Sequence, residues 1–379
     1  MMMMMMIIMP VVVMGWSNIG NTIYDDSGGP FMVRGMNWYG TELPNRVVEG
    51  LWVRGVRSHL EQMVGEGVNT VRIPIALQGI IRGDYDTPID PDLIRGCDDC
   101  GSDPTSYNVL RIIMDACSSL GIGVIIDMHR LYFLKTSPLW YSRDFSEEDM
   151  LSGWNTILGM FGSHPALLGI DLYNEPHGIA TIGTGDDRTD WDAFVVRALG
   201  ALQIPQWKLV FVGGIAWGED MRRVAGSRIP TSVVLAPHAY GPKLTKLPED
   251  RVNDTEYMFG RWDRMFGHLA DMSYTICITE WGGDQDFRPD RTWMEAFVSY
   301  LSSRPFSGQC MWAWNPNSVD VKGYLEPDWQ TPDPFKKRMF DLTPPVMTGP
   351  SDIESKEHIQ NKFGIHPFGS DDYLRPCAG

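Results

Sequence analysis

Two glutamates follow apolar runs of the sequence, at points where a buried strand would leave the core of the protein. Glu175 follows the run in ALLGIDLYNEP, and Glu280 follows a second run in YTICITEWGG. Two carboxyl groups that face each other across a groove can cleave a glycosidic bond, one as general acid and the other as nucleophile or as base for a water. This chemistry requires elements of the fold that bring both side chains to one place.

Other apolar runs also end in residue types that are common in catalytic sites. Any one of them has an ordinary structural explanation, such as an ion pair or a helix cap, so the observation that matters is their number. They are Asn37 and Trp38, Arg72, His129, Asn174, His238 and Tyr240, and Trp312.

Eight short apolar, β-branched runs alternate with longer amphipathic stretches, and this pattern predicts an α/β protein with a parallel sheet. A count of eight favours closure into a (β/α)8 TIM barrel, in which functional side chains gather at the carboxyl ends of the strands. Only the fifth run offers no functional side chain at its end. The predicted strands are 31–37, 68–74, 122–127, 167–173, 208–213, 232–237, 274–279 and 308–314.

The ends of the chain differ in composition from the predicted barrel. Residues 1–15 are apolar and uncharged, too short to cross a bilayer and without the basic start of a good signal peptide, so we interpret them as a leader or a degenerate signal segment. Residues 16–342 form the predicted catalytic domain, and 343–379, rich in Pro, Gly and Asp, a C-terminal extension. The sequence does not fix the cellular compartment of the protein, but it favours secretion or an extracellular location.

The charge of the chain excludes some partners. Its 379 residues carry a formal net charge of −16, whereas nucleic acid and anionic membranes require a basic face. A neutral ligand is compatible with this negative net charge. The 14 Trp, 13 Tyr and 15 Phe residues are enough to line a groove for flat ligand faces. We expect neither a nucleic-acid nor a membrane partner, and we expect a monomer.

The six cysteines do not indicate a metal site. Cys97 and Cys100 form a single CxxC in a Gly/Asp-rich loop, and no second CxxC or CxxH accompanies it, so zinc is not expected. A loop disulfide and two free thiols both fit this spacing. Cys117, Cys277 and Cys310 lie in predicted helices and strands, which is typical of buried free thiols. No metal or cofactor is expected.

Several motifs, in order along the chain, resemble those of glycoside hydrolase family 5, a member of clan A. They are RIP on the second predicted strand, DMHR on the third, NEP on the fourth, PHAY on the sixth and Glu-x-Gly on the seventh. GMNWYGTE, LWYS, DLYNEPHG, WAWNPNS and GYLEPDWQT are similar to the cellulase-type subgroup. The resemblance runs from residue 16 to residue 335, with departures in DMHR, in VDVKG after WAWNPNS, and at Trp281.

The resemblance implies a retaining hydrolase that cleaves internal β-1,4 bonds of cellulose or a related β-glucan. Glu175 is then the general acid/base and Glu280 the nucleophile, kept ionised by Arg72 and by a hydrogen bond from Tyr240. Asn174 is expected to hold the sugar 2-hydroxyl.

Further residues would position the reacting groups or contact the sugar. His129 and His238 are expected to bind substrate hydroxyls and orient the carboxyl groups, and Trp312 to form a stacking floor. The predicted groove contacts are Asn37, Trp38, Trp140 and Tyr141, and for the three aromatic residues packing in the core is the alternative.

Three other interpretations compete with this one. An endo-β-mannanase or another β-glycanase would use the same machinery on a different sugar. A metal-dependent hydrolase could recruit Asp127, His129, His238 and Glu280, although the chain lacks the His-x-His of such barrels and Arg72 would oppose a cation. An inactive barrel that binds glycans, or serves as a structural surface protein, would not need both glutamates.

Overall fold

Eight parallel strands, one of them interrupted, close into a barrel in the computed structural model, which describes residues 15–102 and 104–344. Each strand pairs in parallel with the next, and the seventh pairs with the sixth and the eighth to complete the ring. The (β/α)8 prediction is confirmed, with strand bounds that differ by a few residues. The first to eighth barrel strands are Val33–Asn37, Thr70–Ala76, Gly123–Arg130, Leu167–Asp171, Leu209–Val212, Val234–Leu235 with His238–Tyr240, Thr275–Gly282, and Gly308–Met311.

The sixth barrel strand is interrupted at Pro237, which has no N–H to donate to a strand partner. Both parts pair with the seventh strand, and the second part places His238 directly beside Glu280 in the register. The predicted strand 232–237 therefore stops short of the part that carries the functional residues. The interruption sets a histidine and a glutamate side by side at the mouth of the barrel.

The fourth barrel strand ends at Asp171, two residues earlier than predicted, and the chain continues as an irregular rim. Leu172 N–H still donates to the carbonyl of Phe211 at 3.1 Å, and Asn174 N–H donates to the carbonyl of Met128 at 3.1 Å. Backbone hydrogen bonds to both neighbouring strands thus fix the rim segment that carries Glu175.

Helices cover the outside of the barrel, as the amphipathic stretches predict. The link between the fifth and sixth strands differs, because its only helical element is the short 3₁₀ turn Val224–Gly226, within a fully described stretch. The α-helices are Val56–Gly65, Leu77–Ile81, Ser106–Leu120, Glu147–Phe161, Trp191–Ala201, Pro242–Thr245, Glu249–Val252, Thr255–Met265, Arg288–Ser303 and Pro334–Asp341. No helix within 15–102 and 104–344 is long and apolar enough to cross a membrane.

The two ends of the barrel domain can be compared with the predicted boundaries. A small antiparallel sheet, Ser17–Ile19 with Thr22–Tyr24 and Pro30–Phe31, precedes the first barrel strand, and its Ile23 packs with apolar residues of the barrel strands. The predicted leader lies outside the described residues apart from Gly15, and the C-terminal extension beyond residue 344 does so too. Thr343 is buried and accepts a hydrogen bond from Arg34 at 2.9 Å, so the packed domain includes it.

A disulfide joins Cys97 to Cys100, which settles the alternative that the sequence left open. Between the two cysteines, Asp99 accepts hydrogen bonds from the backbone N–H groups of Val56 at 3.0 Å and Arg57 at 2.9 Å. These N–H groups begin a helix and have no partner within it, so the disulfide loop caps that helix from outside. Cys117, Cys277 and Cys310 are buried free thiols, as predicted, and Cys377 lies outside the described residues.

Alkylation tests the disulfide. In protein denatured without reductant, Cys117, Cys277 and Cys310 should react with iodoacetamide, whereas Cys97 and Cys100 should react only after reduction. Reduction should lower Tm by only about 3 °C, because a bridge over so short a loop stabilises the fold by about 2 kcal/mol. The double Ser variant of the pair is the control and should not respond to reductant, and labelling of both cysteines before reduction would contradict the bridge.

Candidate active site

Arg72 is the centre of the site and is fully buried inside the mouth of the barrel. Its guanidinium donates hydrogen bonds to acceptors on three stretches of chain and forms an ion pair with Asp127 on a fourth, which satisfies a charge that burial would otherwise make very costly. The contacts are Nη1 to Asn37 Oδ1 at 3.0 Å and to Glu280 Oε1 at 2.6 Å, Nη2 to Asn174 Oδ1 at 2.8 Å, Nη2 to Asp171 Oδ2 at 3.0 Å, and Nη2 to Asp127 Oδ2 at 3.1 Å.

Glu280 is buried at the end of the seventh strand and is held from both sides. Arg72 contacts its Oε1, and the Tyr240 hydroxyl donates to its Oε2 at 2.6 Å. Burial alone would raise the pKa of Glu280, but the charges of His238 and Arg72 and the hydrogen bond from Tyr240 outweigh it and lower the pKa to about 2. Glu280 is therefore ionised at neutral pH.

Asp127 and Asp171 share Arg72 with Glu280 but have higher pKa values than Glu280. Burial raises the pKa of each aspartate to about 7, against the opposing charge of Arg72. One oxygen of each carboxyl group, Oδ1, is buried without a hydrogen-bond partner. The single guanidinium charge thus favours ionisation of Glu280 over that of the two aspartates.

Glu175 is more accessible than Glu280 and has a different partner. Its Oε1 lies 2.9 Å from His238 Nδ1, and His238 Nε2 lies 3.2 Å from the hydroxyl of Thr279. Burial and the charge of Glu280 raise the pKa of Glu175, although His238 opposes them. Burial would lower the pKa of His238, but the charges of Glu280 and Glu175 raise it instead. Of the two glutamates, Glu175 is thus the one that holds its proton to higher pH.

The two glutamates lie close enough to act on one bond. A carboxyl oxygen of Glu175, a ring nitrogen of His238 and a carboxyl oxygen of Glu280 all lie within 4.8 Å of one another. Retaining glycosidases hold their carboxyl groups about 5–5.5 Å apart, whereas inverting enzymes need about 6.5–9.5 Å to accommodate a water. The arrangement suits direct attack by the ionised glutamate.

His129 and Asn174 form a second hydrogen-bonded chain beside Arg72. His129 Nδ1 lies 2.7 Å from Asp127 Oδ2, and Nε2 lies 3.4 Å from the amide nitrogen of Asn174. Burial, with the charges of Arg130 and Arg72, lowers the pKa of His129 well below its ordinary value, so the ring is neutral. It then donates from Nδ1 to Asp127 and accepts at Nε2 from Asn174.

Trp312 lies partly exposed at the end of the eighth strand, next to two other rings. It stacks on Tyr39, with ring centroids 5.3 Å apart, and on His129, also at 5.3 Å, and its indole N–H donates to Ser318 at 3.2 Å. A fixed, partly open indole can bind the flat face of a ring. The predicted stacking floor is thus compatible with its position and stays a prediction.

Three of the predicted substrate contacts are wrong, because their side chains are completely buried. Asn37 donates to the carbonyls of Thr279 and Met311 and accepts from Arg72, so it braces the barrel rather than binding a sugar. Trp38 donates to the carbonyl of Glu49 at 2.8 Å, and Trp140 donates to Glu147 at 2.8 Å and packs on Phe194. The alternative of packing in the core applies to both tryptophans.

The ring of Tyr141 is partly exposed, which is compatible with a groove contact, and that role stays a prediction. Its hydroxyl donates to the carbonyl of Arg188 at 2.9 Å.

Sequence reasoning missed two features of the site. Asp171 lies within the apolar strand sequence GIDLY, and a buried carboxylate requires a partner of opposite charge. In the structure that partner is Arg72. Trp217 follows the fifth strand, for which no functional residue was expected, and it is half exposed near Glu175. The signal for Trp217 is an aromatic residue next to a glycine in a loop at the catalytic end of the barrel.

A (β/α)8 barrel with two carboxyl groups at its mouth, whose pKa values are shifted in opposite directions, has the architecture of a glycoside hydrolase. The sequence model of Cellulase (glycosyl hydrolase family 5) matches residues 24–318. The chain belongs to this family.

Comparisons with individual proteins agree with the family. The chain is 34% identical to the major extracellular endoglucanase of Xanthomonas campestris over 82% of its own length and 67% of the relative's, and 32% identical to an endoglucanase of Paenibacillus polymyxa over 82% of each. The catalytic domain of the Xanthomonas enzyme superposes with a TM-score of 0.80 at 31% identity, over 86% of this chain and 99% of that one. A cellotetraose complex of the endocellulase from Pyrococcus horikoshii has a TM-score of 0.79 at 29% identity, over 88% and 99%.

Tyr240→Phe tests how Glu280 is kept ionised. Loss of the hydroxyl removes a hydrogen bond to the charged form, so the pKa of Glu280 should rise from about 2. The acid limb of kcat/KM should move to higher pH by about 1–2 units, since a hydrogen bond to a charged group contributes about 1.5–3 kcal/mol. Tyr257→Phe, on an outer helix, is the matched control, and an unmoved acid limb in Tyr240→Phe would contradict the assignment.

Proposed function

We propose that this protein is a retaining endo-β-1,4-glucanase that hydrolyses internal bonds of cellulose or a related β-glucan. The single observation that carries the mechanism is the pair of glutamates within 4.8 Å, one with a lowered and one with a raised pKa. The endoglucanases of Xanthomonas campestris and Paenibacillus polymyxa support the substrate.

In the first step, the ionised Glu280 attacks the anomeric carbon and forms a glycosyl ester, while Glu175 donates its proton to the leaving oxygen. Arg72 and Tyr240 orient Glu280 for attack from the strand end. Asn174 has an amide N–H directed to His129 and, by our proposal, holds the 2-hydroxyl of the sugar through the same group.

In the second step, Glu175 acts as a base. Formation of the ester removes the negative charge of Glu280, which is one of the causes that raise the pKa of Glu175. The pKa of Glu175 therefore falls, and the carboxylate accepts a proton from the water that cleaves the ester. Release of the β anomer and the regenerated pair complete the cycle.

A metal-dependent reaction at this site is less compatible with the contacts of the two acids. Both oxygens of Glu280 are already engaged, Oε1 by the guanidinium of Arg72 and Oε2 by Tyr240. Asp127 Oδ2 also faces Arg72, so a cation would have to compete with a fixed positive charge. Secretion is supported by the extracellular Xanthomonas relative, and we propose a monomer with a polysaccharide as its partner.

Hydrolysis of soluble polysaccharides, with paired glutamate variants, tests the function. The wild-type protein should rapidly lower the viscosity of carboxymethylcellulose, with and without EDTA, because cleavage is internal and uses no metal. Glu280→Gln should lose activity by about 10⁴-fold or more on every substrate. Glu175→Gln should lose about 10²–10⁴-fold on the polysaccharide but keep kcat/KM within about tenfold on 2,4-dinitrophenyl β-cellobioside, whose leaving group needs no proton.

Glu295→Gln, an exposed glutamate on an outer helix, is the matched control and should match wild type. Activity on β-mannan alone would keep the mechanism and overturn the substrate. No activity on β-1,4-glucan, mixed-linkage β-glucan or mannan would support the inactive glycan-binding barrel. Equal losses in both active-site variants on both substrate types would contradict the assigned roles.

A further inference from the structure

Asp171 contacts Arg72 through only one of its two carboxyl oxygens. Arg72 Nε donates to Asp171 Oδ2 at 3.1 Å, and Nη2 donates to the same atom at 3.0 Å. Oδ1 of Asp171 is buried and has no hydrogen-bond partner among residues 15–102 and 104–344. In the common bidentate pair, two parallel N–H groups of an arginine engage both oxygens of an ionised carboxylate. The contact of Asp171 with Arg72 differs from that geometry, which raises the question of its charge.

The carboxyl groups around Arg72 outnumber its single positive charge. Arg72 contacts Asp127, Asp171 and Glu280, and none of these four residues is more than 3% exposed. Asp127 and Asp171 are also direct partners in the register of two neighbouring strands, where like charges destabilise a sheet. If all three groups were ionised, negative charge would be in excess in a buried place, and a buried group in that position takes up a proton.

The hydrogen-bond donors indicate which of the three groups is neutral. Glu280 has the shortest contact with Arg72, at 2.6 Å, and a further donor in Tyr240. Asp127 Oδ2 accepts from His129 Nδ1 at 2.7 Å in addition to its contact with Arg72. Asp171 has no donor besides Arg72 in the described part of the chain. Because hydrogen bonds to a carboxylate favour its ionised form, Asp171 is the group that ionises least readily.

The rest of the surroundings of Asp171 also favour its neutral form. Burial raises the pKa of Asp171 to about 7, against the charge of Arg72, and the fifth strand places only the apolar Phe211 beside it. Of the titratable and charged neighbours of Asp171, two can be cationic, and the others are carboxyl groups or a thiol. These neighbours are Arg72 on the second strand, Asp127 on the third, His238 on the sixth, and Cys277 and Glu280 on the seventh.

We propose that Asp171 carries a proton in the active enzyme and acts as a neutral positioning residue for Arg72. The proposal rests on the proposed function, because it gives Asp171 a part in keeping Glu280 ionised for attack. A neutral Asp171 still accepts from Nε and Nη2 through Oδ2, so it fixes the plane of the guanidinium. Nη2 also contacts Asn174 at 2.8 Å, and Nη1 contacts Glu280 at 2.6 Å. Asp171 thus aligns both residues without competing with Glu280 for the charge of Arg72.

The pH dependence of stability tests the proton on Asp171. The pKa of Asp171 is raised from its ordinary 3.8 to about 7, so the folded protein binds this proton more tightly than the unfolded chain does. Between these values, rising pH therefore destabilises the wild type relative to Asp171→Asn, which stays neutral. From about pH 5 to about pH 7, the Tm of the wild type should fall by about 5 °C relative to that of Asp171→Asn. A constant difference would overturn the proposal.

The matched control for this measurement is Asp92→Asn, at an exposed position in the 3₁₀ turn Pro91–Leu93. Its Tm should stay at a constant difference from that of the wild type over the same pH range.

Infrared spectroscopy locates the proton without any measurement of activity. Below the pKa of about 7, the difference spectrum of wild type minus Asp171→Asn should contain the C=O stretching band of a protonated carboxyl group, which shifts in D₂O. A band that persists in Asp171→Asn and is lost in Asp127→Asn would place the proton on Asp127 and overturn the proposal. If Asp171→Asn does not fold, wild-type protein labelled with [4-¹³C]aspartate decides by NMR, since one carboxyl resonance should stay in its protonated position at mildly acid pH. Its absence would overturn the proposal too.

Kinetics of two variants test the positioning role. Asp171→Leu keeps the volume of the side chain but has no acceptor for Arg72, and it should lower kcat on carboxymethylcellulose by about 10²-fold, because a small displacement of a catalytic group costs about that much. Asp171→Asn keeps a neutral acceptor and should recover most of this loss. Equal losses in both variants would show that the negative charge is needed and overturn the proposal. Failure of the wild-type protein to hydrolyse carboxymethylcellulose would instead refute the proposed function, whereas absence of the infrared band would refute the proton on Asp171 even in an active enzyme.

Discussion

The buried positive charge of Arg72 is the constraint on which the site and the mouth of the barrel both depend. A guanidinium with no exposed surface must be paired, and removal of one partner of a buried ion pair costs about 3–5 kcal/mol. The same contacts that satisfy it join the first, third, fourth and seventh strands across the barrel. Its partners are Asn37, Asp127, Asp171, Asn174 and Glu280.

This arrangement also separates the roles of two chemically identical residues. Glu280 accepts hydrogen bonds from Arg72 and Tyr240, and its pKa is lowered to about 2. Glu175 accepts neither hydrogen bond, and its pKa is raised. His238 lies within reach of both carboxyl groups, at 2.9 Å from Glu175 and 3.6 Å from Glu280. Because all of these groups lie on strand ends or on a hydrogen-bonded rim, the backbone fixes the difference in pKa on which the proposed division between acid and nucleophile rests.

Much of the fold and the central pair could be predicted from the sequence, because alternating apolar runs and polar strand ends are local patterns. Exposure could not be predicted, since it depends on contacts with residues that are distant in sequence: Trp38 packs on His59 and Trp140 on Phe194, and both are buried, whereas Trp217 is half exposed. The left-handed backbone of residues 216–218 leaves no clear sequence pattern, because only Gly218 of the three is a glycine. The contact between Asp171 and Arg72 joins residues that are distant in sequence.

The central claim is that Glu280, held ionised by Arg72, forms a covalent bond to the sugar. Incubation with 2,4-dinitrophenyl 2-deoxy-2-fluoro-β-cellobioside, followed by proteolysis and mass spectrometry of the peptides, tests it directly, because the fluorine slows breakdown of the intermediate. The account predicts one fluorocellobiosyl group per molecule, attached to Glu280. Attachment to Glu175, or an active enzyme that forms no adduct and releases the α anomer first, would contradict it.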